Sequence, residues 1–361
     1  MKLLVLAQTP PPLHGQSLMV QTLVAGLPAQ GIELRHINLR LSHDTSDIGR
    51  WRIGKFRAIL AAAIRTVYAR LRHGCDTLYY VPAPAKRGAL YRDWLVMLIC
   101  RPFFPRLILH WHAPGLASWL ELTASPVERW ITHLLLGRAD LSIVLATALR
   151  ADAENLHARR VAIVPNGIPD PGPPTRSPVR PGGKRCEILF LGLGSRSKGL
   201  FDTLHGVALA NQSAPGAFHL TVAGGFASAE ERLEFEESAK QLGPAVRHVG
   251  FADDLRKKAL FAGADVFCFP TNYPHEGQPL VLLEAMAHDL PVITTRWRAI
   301  PETVAPTGTF FVKPGEPDQI AAHLAAIRQH PPPAGEPRAH YLTHFTSDEH
   351  LRKLRDQLRA L

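Results

Sequence analysis

The chain has 361 residues, 46% hydrophobic and 20% charged, with a net charge of +10. That composition excludes a disordered or fibrous protein, and at roughly 150 residues per domain the length points to two domains. The basic balance admits an anionic partner (nucleic acid, a membrane surface or a phosphorylated substrate) without choosing among them.

In chain order, the first element is a core strand, Lys2 to Ala7. Its apolar run is too short for a signal-peptide core, and no run in the sequence reaches the roughly 18 residues of a membrane span. The loop Pro10-Pro11-Pro12-Leu13-His14-Gly15-Gln16-Ser17 follows and opens a helix. Gly15 there permits a tight turn and close approach of a ligand. From Arg50 to Arg72 come seven basic residues and no acidic one, interleaved with Trp51, Ile53, Phe56, Ile59, Leu60, Ile64 and Val67. Two readings fit this amphipathic helix: docking on an anionic membrane surface, or core packing with a solvated basic face.

Strands are expected at Thr77 to Val81, Arg106 to Trp111 and Leu141 to Leu145. The second ends in His110-Trp111-His112, where the two histidines, at i and i+2, face one side. A third metal ligand is not evident, and the chain has no Asp-x-Asp triplet, so no metal site is expected. Residues 169–184 hold six prolines and three glycines, which no helix or central strand tolerates, so they form a linker. Beyond it the pattern resumes with strands at Glu187 to Leu191, His219 to Ala223, Asp265 to Phe269 and Pro291 to Thr294. A proline cluster, 331–333, precedes a last helix from about residue 346 to 361. Near-continuous apolar strands alternating with helices predict two parallel α/β sheets, one on each side of the linker, with ligands bound in a cleft at their carboxyl ends. Cys75, Cys100, Cys186 and Cys268 form no CxxC pair and read as buried, reduced thiols. Gly192-Leu193-Gly194 lacks the final glycine of a dinucleotide-binding turn, because position 197 is Ser197.

The densest pattern is His275-Glu276-Gly277-Gln278-Pro279-Leu280-Val281-Leu282-Leu283-Glu284-Ala285-Met286-Ala287. Pro279 suits a first helical turn, which leaves Glu276 to Gln278 as the loop at a helix N-terminus, where anionic or hydroxyl-rich ligands are favoured. Glu284, among apolar neighbours, needs a partner if it is buried.

Two glutamates with seven residues between them, opening a helix that runs into Pro291-Val292-Ile293-Thr294-Thr295, resemble glycosyltransferase family 4. Pro165-Asn166-Gly167-Ile168, Phe190-Leu191-Gly192 followed by Lys198-Gly199, and the stretch Gly250 to Pro270 match the same family in the same order. The resemblance implies a GT-B fold of two Rossmann-like domains: residues 1–168 binding the acceptor, residues 185–345 binding the nucleotide-sugar donor, and the last helix returning to the first domain. It implies retaining, metal-independent transfer of a sugar to a glycan or polyprenyl-linked acceptor, without cofactor. By the same resemblance Glu276 lies by the donor sugar, and the backbone of Gly277, Gln278, Pro279 and Leu280 contacts sugar hydroxyls and diphosphate. Glu284 accepts from the ribose, and Lys198 neutralises the leaving diphosphate. Gly15 and Gln16 face the donor phosphates and acceptor, Asn166 also borders the donor, and His112 contacts the transferred sugar.

Two positions depart from the family. Leu193 stands where an arginine is usual, so Arg196 is the candidate substitute. Asp289 replaces a usual glycine, with an effect expected on the turn alone. The opening loop resembles those of bacterial surface-polysaccharide enzymes; the reduced thiols point to a cytoplasmic protein, and the membrane reading of residues 50–72 would place it peripherally on the inner membrane face. Two rivals remain at this stage: a catalytically weak descendant that binds nucleotide-sugars or acts as a scaffold, and a nucleic-acid-binding protein. The second rests on charge alone and has no recognisable motif, so no nucleic-acid partner is expected.

Overall fold

The computed structural model describes residues 1–39, 53–174 and 185–361. Arg50, Trp51 and Arg52 of the basic segment, and most of the proline-rich linker, lie outside the described residues. The strands are β1 (Lys2–Ala7), β2 (Glu33–Asn38), β3 (Thr77–Tyr80), β4 (Arg106–His110), β5 (Leu141–Val144), β6 (Val161–Ile163), β7 (Cys186–Leu191), β8 (Phe218–Ala223), β9 (Val246–His248), β10 (Val266–Phe269), β11 (Val292–Thr295) and β12 (Thr309–Val312). The helices are α1 (Gly15–Gly26), α2 (Ile53–His73), α3 (Arg87–Cys100), α4 (Leu116–Leu122), α5 (Pro126–Leu136), α6 (Ala151–Asn155) and α7 (Leu200–Ser213). They continue with α8 (Ala229–Leu242), α9 (Asp254–Gly263), α10 (Leu280–Ala287), α11 (Ile300–Thr303), α12 (Pro317–Gln329), α13 (Glu336–His344) and α14 (Ser347–Arg359).

Two compact units result: Met1–Gly167 with His275–Gln278 and Ser347–Leu361, and Ile168–Pro274 with Pro279–Thr346. The first holds a six-stranded parallel sheet in the order β2-β1-β3-β4-β5-β6. Its side chains alternate between faces, as the pleat requires. Leu3, Val5, Tyr79, Ile108 and Ile143 pack against Val20 and Leu23 of α1 and Leu351, Leu354 and Leu358 of α14. On the other face Tyr80 donates to Asp93 of α3 at 2.6 Å, and α2, α3 and α5 pack side by side. The return of α14 to the first sheet is fixed at Gly26, where any Cβ would lie 2.3 Å from Leu351 Cδ1.

The second unit holds six parallel strands in the order β12-β11-β10-β7-β8-β9. Counted from β7, this is the order of a dinucleotide-binding sheet, and its direction reverses between β7 and β10. The unit begins at Ile168, whose N–H donates to Phe345 O (2.9 Å) and whose carbonyl accepts from Tyr341 Oη (3.0 Å). All four cysteines are buried and none is bonded to another.

Three sequence expectations change. Pro279 is the N-cap of α10 rather than a residue of its first turn, with ψ 118°. Gly15 is the first residue of α1, in ordinary helical conformation, and His14 makes the turn: its Nδ1 accepts from Ser17 N while Ser17 Oγ accepts from His14 N. Asp289 does more than turn the chain. It sits at φ 58°, and its carboxylate accepts from Gly335 N (2.6 Å) and Arg338 N (3.2 Å), which caps α13. A glycine would supply the turn without the cap.

Candidate active site

In an open α/β sheet, ligands bind beyond the carboxyl ends of the strands where the order reverses. In the second unit that place is bordered by the turn after β7 and the loop between β10 and α10. Gly199 lets them approach: at φ 80°, it would carry a Cβ only 2.4 Å from Pro270 O. The turn Arg196–Lys198 is capped by Ser195 Oγ, which accepts from Lys198 N at 3.2 Å. Lys198 Nζ then stands over the rings of Tyr273 (4.5 Å) and Phe269 (5.7 Å). The aromatic faces attract the ammonium and hold it beside the turn.

Arg196 is placed differently. Its guanidinium is paired with Glu234, stacked over Phe201 at 4.8 Å, and its backbone N–H donates to Glu231 (2.9 Å). Those acidic residues belong to α8, so Arg196 ties the turn to that helix. Leu193 is half exposed.

Glu284 lies in the second turn of α10, and Lys257 of α9 donates to its Oε1 at 2.6 Å. Burial raises the Glu284 carboxyl above its usual range, and the Lys257 ammonium opposes the rise. Lys257 is the partner that a carboxylate among apolar neighbours requires. It was not legible in the sequence, because 27 residues separate the two. The loop 271–274 is held through its carbonyls: Thr295 Oγ1 donates to Thr271 O (2.5 Å), Trp297 Nε1 to Tyr273 O (2.8 Å) and Arg298 to Pro274 O (2.9 Å).

The first unit assembles a second group at the carboxyl ends of β4 and β6. Gly277 packs so closely on the strand end that a Cβ there would lie 2.2 Å from His112 O. Gln278 accepts from Asn166 N through Oε1 (2.7 Å), and its carbonyl accepts from Asn166 Nδ2 (3.3 Å). His275 Nδ1 lies 3.2 Å from Pro114 O. These contacts are why 275–278 joins the first unit instead of the donor domain expected from the sequence. Asn166 and Gln278 therefore hold one another, and Glu276 is buried within the same loop. Asp152 of α6 steadies the following segment by accepting from Gly115 N (2.9 Å) and Ala117 N (2.8 Å).

Imidazoles dominate this group. His110 and His112 lie with ring centroids 4.2 Å apart, as the i, i+2 spacing requires, and His110 stacks at 6.5 Å on His350 of α14. Tyr79 Oη is bonded to His110 Nδ1, and His350 Nδ1 lies 2.6 Å from Pro165 O. The Nε2 atoms of His110 and His350 are buried with no protein partner. Burial pushes His112 down to about 3 and His350 to about 4, lowers His14, and holds His110 well below the usual range. All four are neutral at neutral pH, offering both donors and acceptors. Sequence reasoning found His112 but missed His350, whose role depends on the return of α14. Among the described residues no three His, Cys, Asp or Glu side chains are gathered as metal ligands would be.

The two parallel sheets, each with its helices, define the GT-B fold of nucleotide-sugar-dependent transferases. Known structures match at full length: sucrose-phosphate synthase from Thermosynechococcus elongatus (TM-score 0.74, 17% identity, 100% of this chain and 99% of that one). Anabaena HepE in complex with UDP matches with TM-score 0.71 and 18% identity over 100% of both chains. Residues 185–330, which lie in the second unit apart from 275–278, match the family described as glycosyl transferases group 1. Among curated proteins, the Escherichia coli K12 protein named colanic acid biosynthesis glycosyltransferase WcaL is 30% identical over 161 residues, 43% of this chain and 38% of that protein. The O-antigen chain mannosyltransferase B of Escherichia coli is 34% identical over 79 residues, 22% of this chain and 20% of that one. The matched stretches thus span about two-fifths or less of these relatives' length.

Proposed function

We propose that the chain is a retaining glycosyltransferase of the family 4 type, moving a sugar from a nucleotide-sugar to a glycan or polyprenyl-linked acceptor with release of nucleoside diphosphate. The observation that carries this reading is the pair of charged groups at the reversal point of the second sheet. Lys198 stands after β7, and the Lys257–Glu284 pair ties α9 to the helix that follows β10. A diphosphate needs a positioned cation as its negative charge grows on departure, and Lys198 supplies one. The ribose hydroxyls need a hydrogen-bond acceptor, and Glu284 supplies one, with Lys257 opposing the rise that burial imposes on its carboxyl. The backbone of Gly277, Pro279 and Leu280 approaches the sugar and phosphates, Glu276 lies by the sugar, Gly15 and Gln16 face the donor phosphates and the acceptor, and His112 contacts the transferred sugar. Asn166 and Gln278 act by fixing that loop.

In the reaction the donor C1–O bond to phosphate breaks as the acceptor oxygen bonds C1 on the same face. The acceptor proton passes to a departing phosphate oxygen. Same-face attack retains configuration, and no side-chain nucleophile and no metal ion enter. The HepE structures carry UDP and UDP-glucose, which makes uridine nucleotides the first to try. The test is a thermal-shift series with UDP, GDP, ADP and their sugar conjugates, with magnesium or a chelator, followed by transfer assays with the stabilising donor. A ligand specific to the folded state must raise Tm. One nucleotide series should do so equally in chelator. Donor binding without transfer to any lipid-linked or glycan acceptor would favour the nucleotide-sugar-binding reading, for which the pairing of Arg196 with Glu234 and the absence of an arginine at Leu193 are the specific observations.

A further inference from the structure

Of the three helices that pack side by side on one face of the first sheet, α2 and α5 turn large apolar residues to solvent. On α2 the positions turned to the sheet are small or modest: Ile59, Ala62, Ala63 and Thr66 are buried. The larger Ile64, Tyr68 and Leu71 face solvent, Leu71 at 70% exposure. On α5 the solvent row is Val127, Trp130 and Leu134, spaced i, i+3, i+7, with Trp130 at 66% exposure. Leu98 of α3, packed between those helices, is also exposed. A surface helix ordinarily turns such residues inward, and apolar rows on α2 and α5 with Leu98 of α3 between them mark an interaction surface.

Charge identifies the partner. Together α2, α3 and α5 carry eight Lys or Arg residues and two acidic ones, Asp93 and Glu128. Both acids are buried and consumed inward. Asp93 accepts from Tyr80, Ala83 N and Arg92, and Glu128 accepts from Arg87, Tyr91 and Ser125 N. Among the described residues of these helices no carboxylate is left to face outward, while Arg57, Arg65, Arg72 and Arg129 are exposed beside the apolar rows.

We propose that the α2–α3–α5 face lies flat on an anionic lipid bilayer, its apolar rows entering the headgroup boundary and its arginines meeting lipid phosphates. A second copy of the chain would place this positive face against its like, which charge disfavours. No helix among the described residues is long and apolar enough to cross a membrane, so attachment is interfacial. This deepens the reading of a lipid-linked acceptor. Because it is tested by binding without any substrate, it can fail while glycosyl transfer stands, and the reverse.

The experiment is co-sedimentation of the full chain with vesicles of phosphatidylcholine alone or with added phosphatidylglycerol, at two salt concentrations. Three proteins are compared: wild type, the triple variant Ile64→Ser, Leu71→Ser, Trp130→Ser, and the triple variant Arg57→Gln, Arg65→Gln, Arg72→Gln. Thermal melting verifies the fold of each, and light scattering gives the oligomeric state. Wild type should pellet with anionic vesicles and release at high salt. Each triple variant should partition about tenfold less, since apolar burial and charge both contribute. Wild type left in the supernatant with anionic vesicles, or the serine variant pelleting as wild type does, overturns the proposal. So does a dimer that the serine variant converts to monomer without change in vesicle binding.

Discussion

The two units use the same parallel-sheet plan and place opposite chemistry at the carboxyl ends of their strands. The second gathers ionised groups: Lys198 over Tyr273, Lys257 with Glu284, and Arg196 with Glu234. The first gathers neutral imidazoles, His14, His110, His112 and His350, all lowered by burial. Charge suits a diphosphate that becomes more negative as it leaves, and neutral imidazoles suit hydroxyls, which need a donor and an acceptor without a fixed charge. A shared backbone plan therefore does not dictate chemistry; the residues at the strand ends do.

The sharpest test of that division is Lys198→Met. If this ammonium stabilises the leaving diphosphate, transfer should fall about 10²–10³-fold with little change in Tm. An equal loss from Arg196→Met would mean that the second unit's cations act as a general field rather than one positioned charge. Next in size is Gly277→Ala. Its Cβ would meet His112 O at 2.2 Å, so the loop must shift, at a cost of about 1–3 kcal/mol in thermal stability, and transfer should drop about tenfold or more through misplacement of Glu276.

Glu284→Gln separates charge from shape at the proposed ribose acceptor. Nucleotide affinity should fall about tenfold. Because burial raises the wild-type carboxyl, wild-type affinity should weaken as pH drops through that raised value, and the glutamine variant should lose this dependence. The first unit should respond to pH in stability rather than in binding. His112 and His350 are depressed to about 3 and about 4, so between these values and about 6.5 the unfolded chain takes up protons that the folded chain does not. Stability should therefore be full above about pH 6.5 and decline as pH falls below it, by about 1 kcal/mol per imidazole per pH unit. His350→Gln should flatten that slope in melts between pH 7 and 5. The smallest effect is expected at Asp289→Gly. It keeps the left-handed turn but loses the cap on α13, lowering stability by about 1 kcal/mol in calorimetry.

Eight strands, β1, β3, β4, β5, β7, β8, β10 and β11, stand out in the sequence within a residue or so at each end. The four that do not, β2, β6, β9 and β12, are the edges of the two sheets. The reason is burial. A central strand is covered on both faces and becomes an apolar run such as Leu-Leu-Val-Leu in β1, whereas Glu33–Asn38 and Val246–His248 are half open to water and keep polar residues.

The site divides in the same way. Local constraints write themselves into sequence: Gly199 and Gly277 because no other residue fits, and the glutamate spacing around α10 because a loop and a helix start must follow one strand. From these the sequence alone determined the parallel α/β class and the loops that carry the chemistry. Only the tertiary structure decided which partners meet across long separations: Lys257 with Glu284, His350 with His110, Gln278 with Asn166, and Arg196 with α8 instead of standing free. Such pairings depend on how elements dozens to hundreds of residues apart pack, and neither periodicity nor turn chemistry in a single chain encodes that distance.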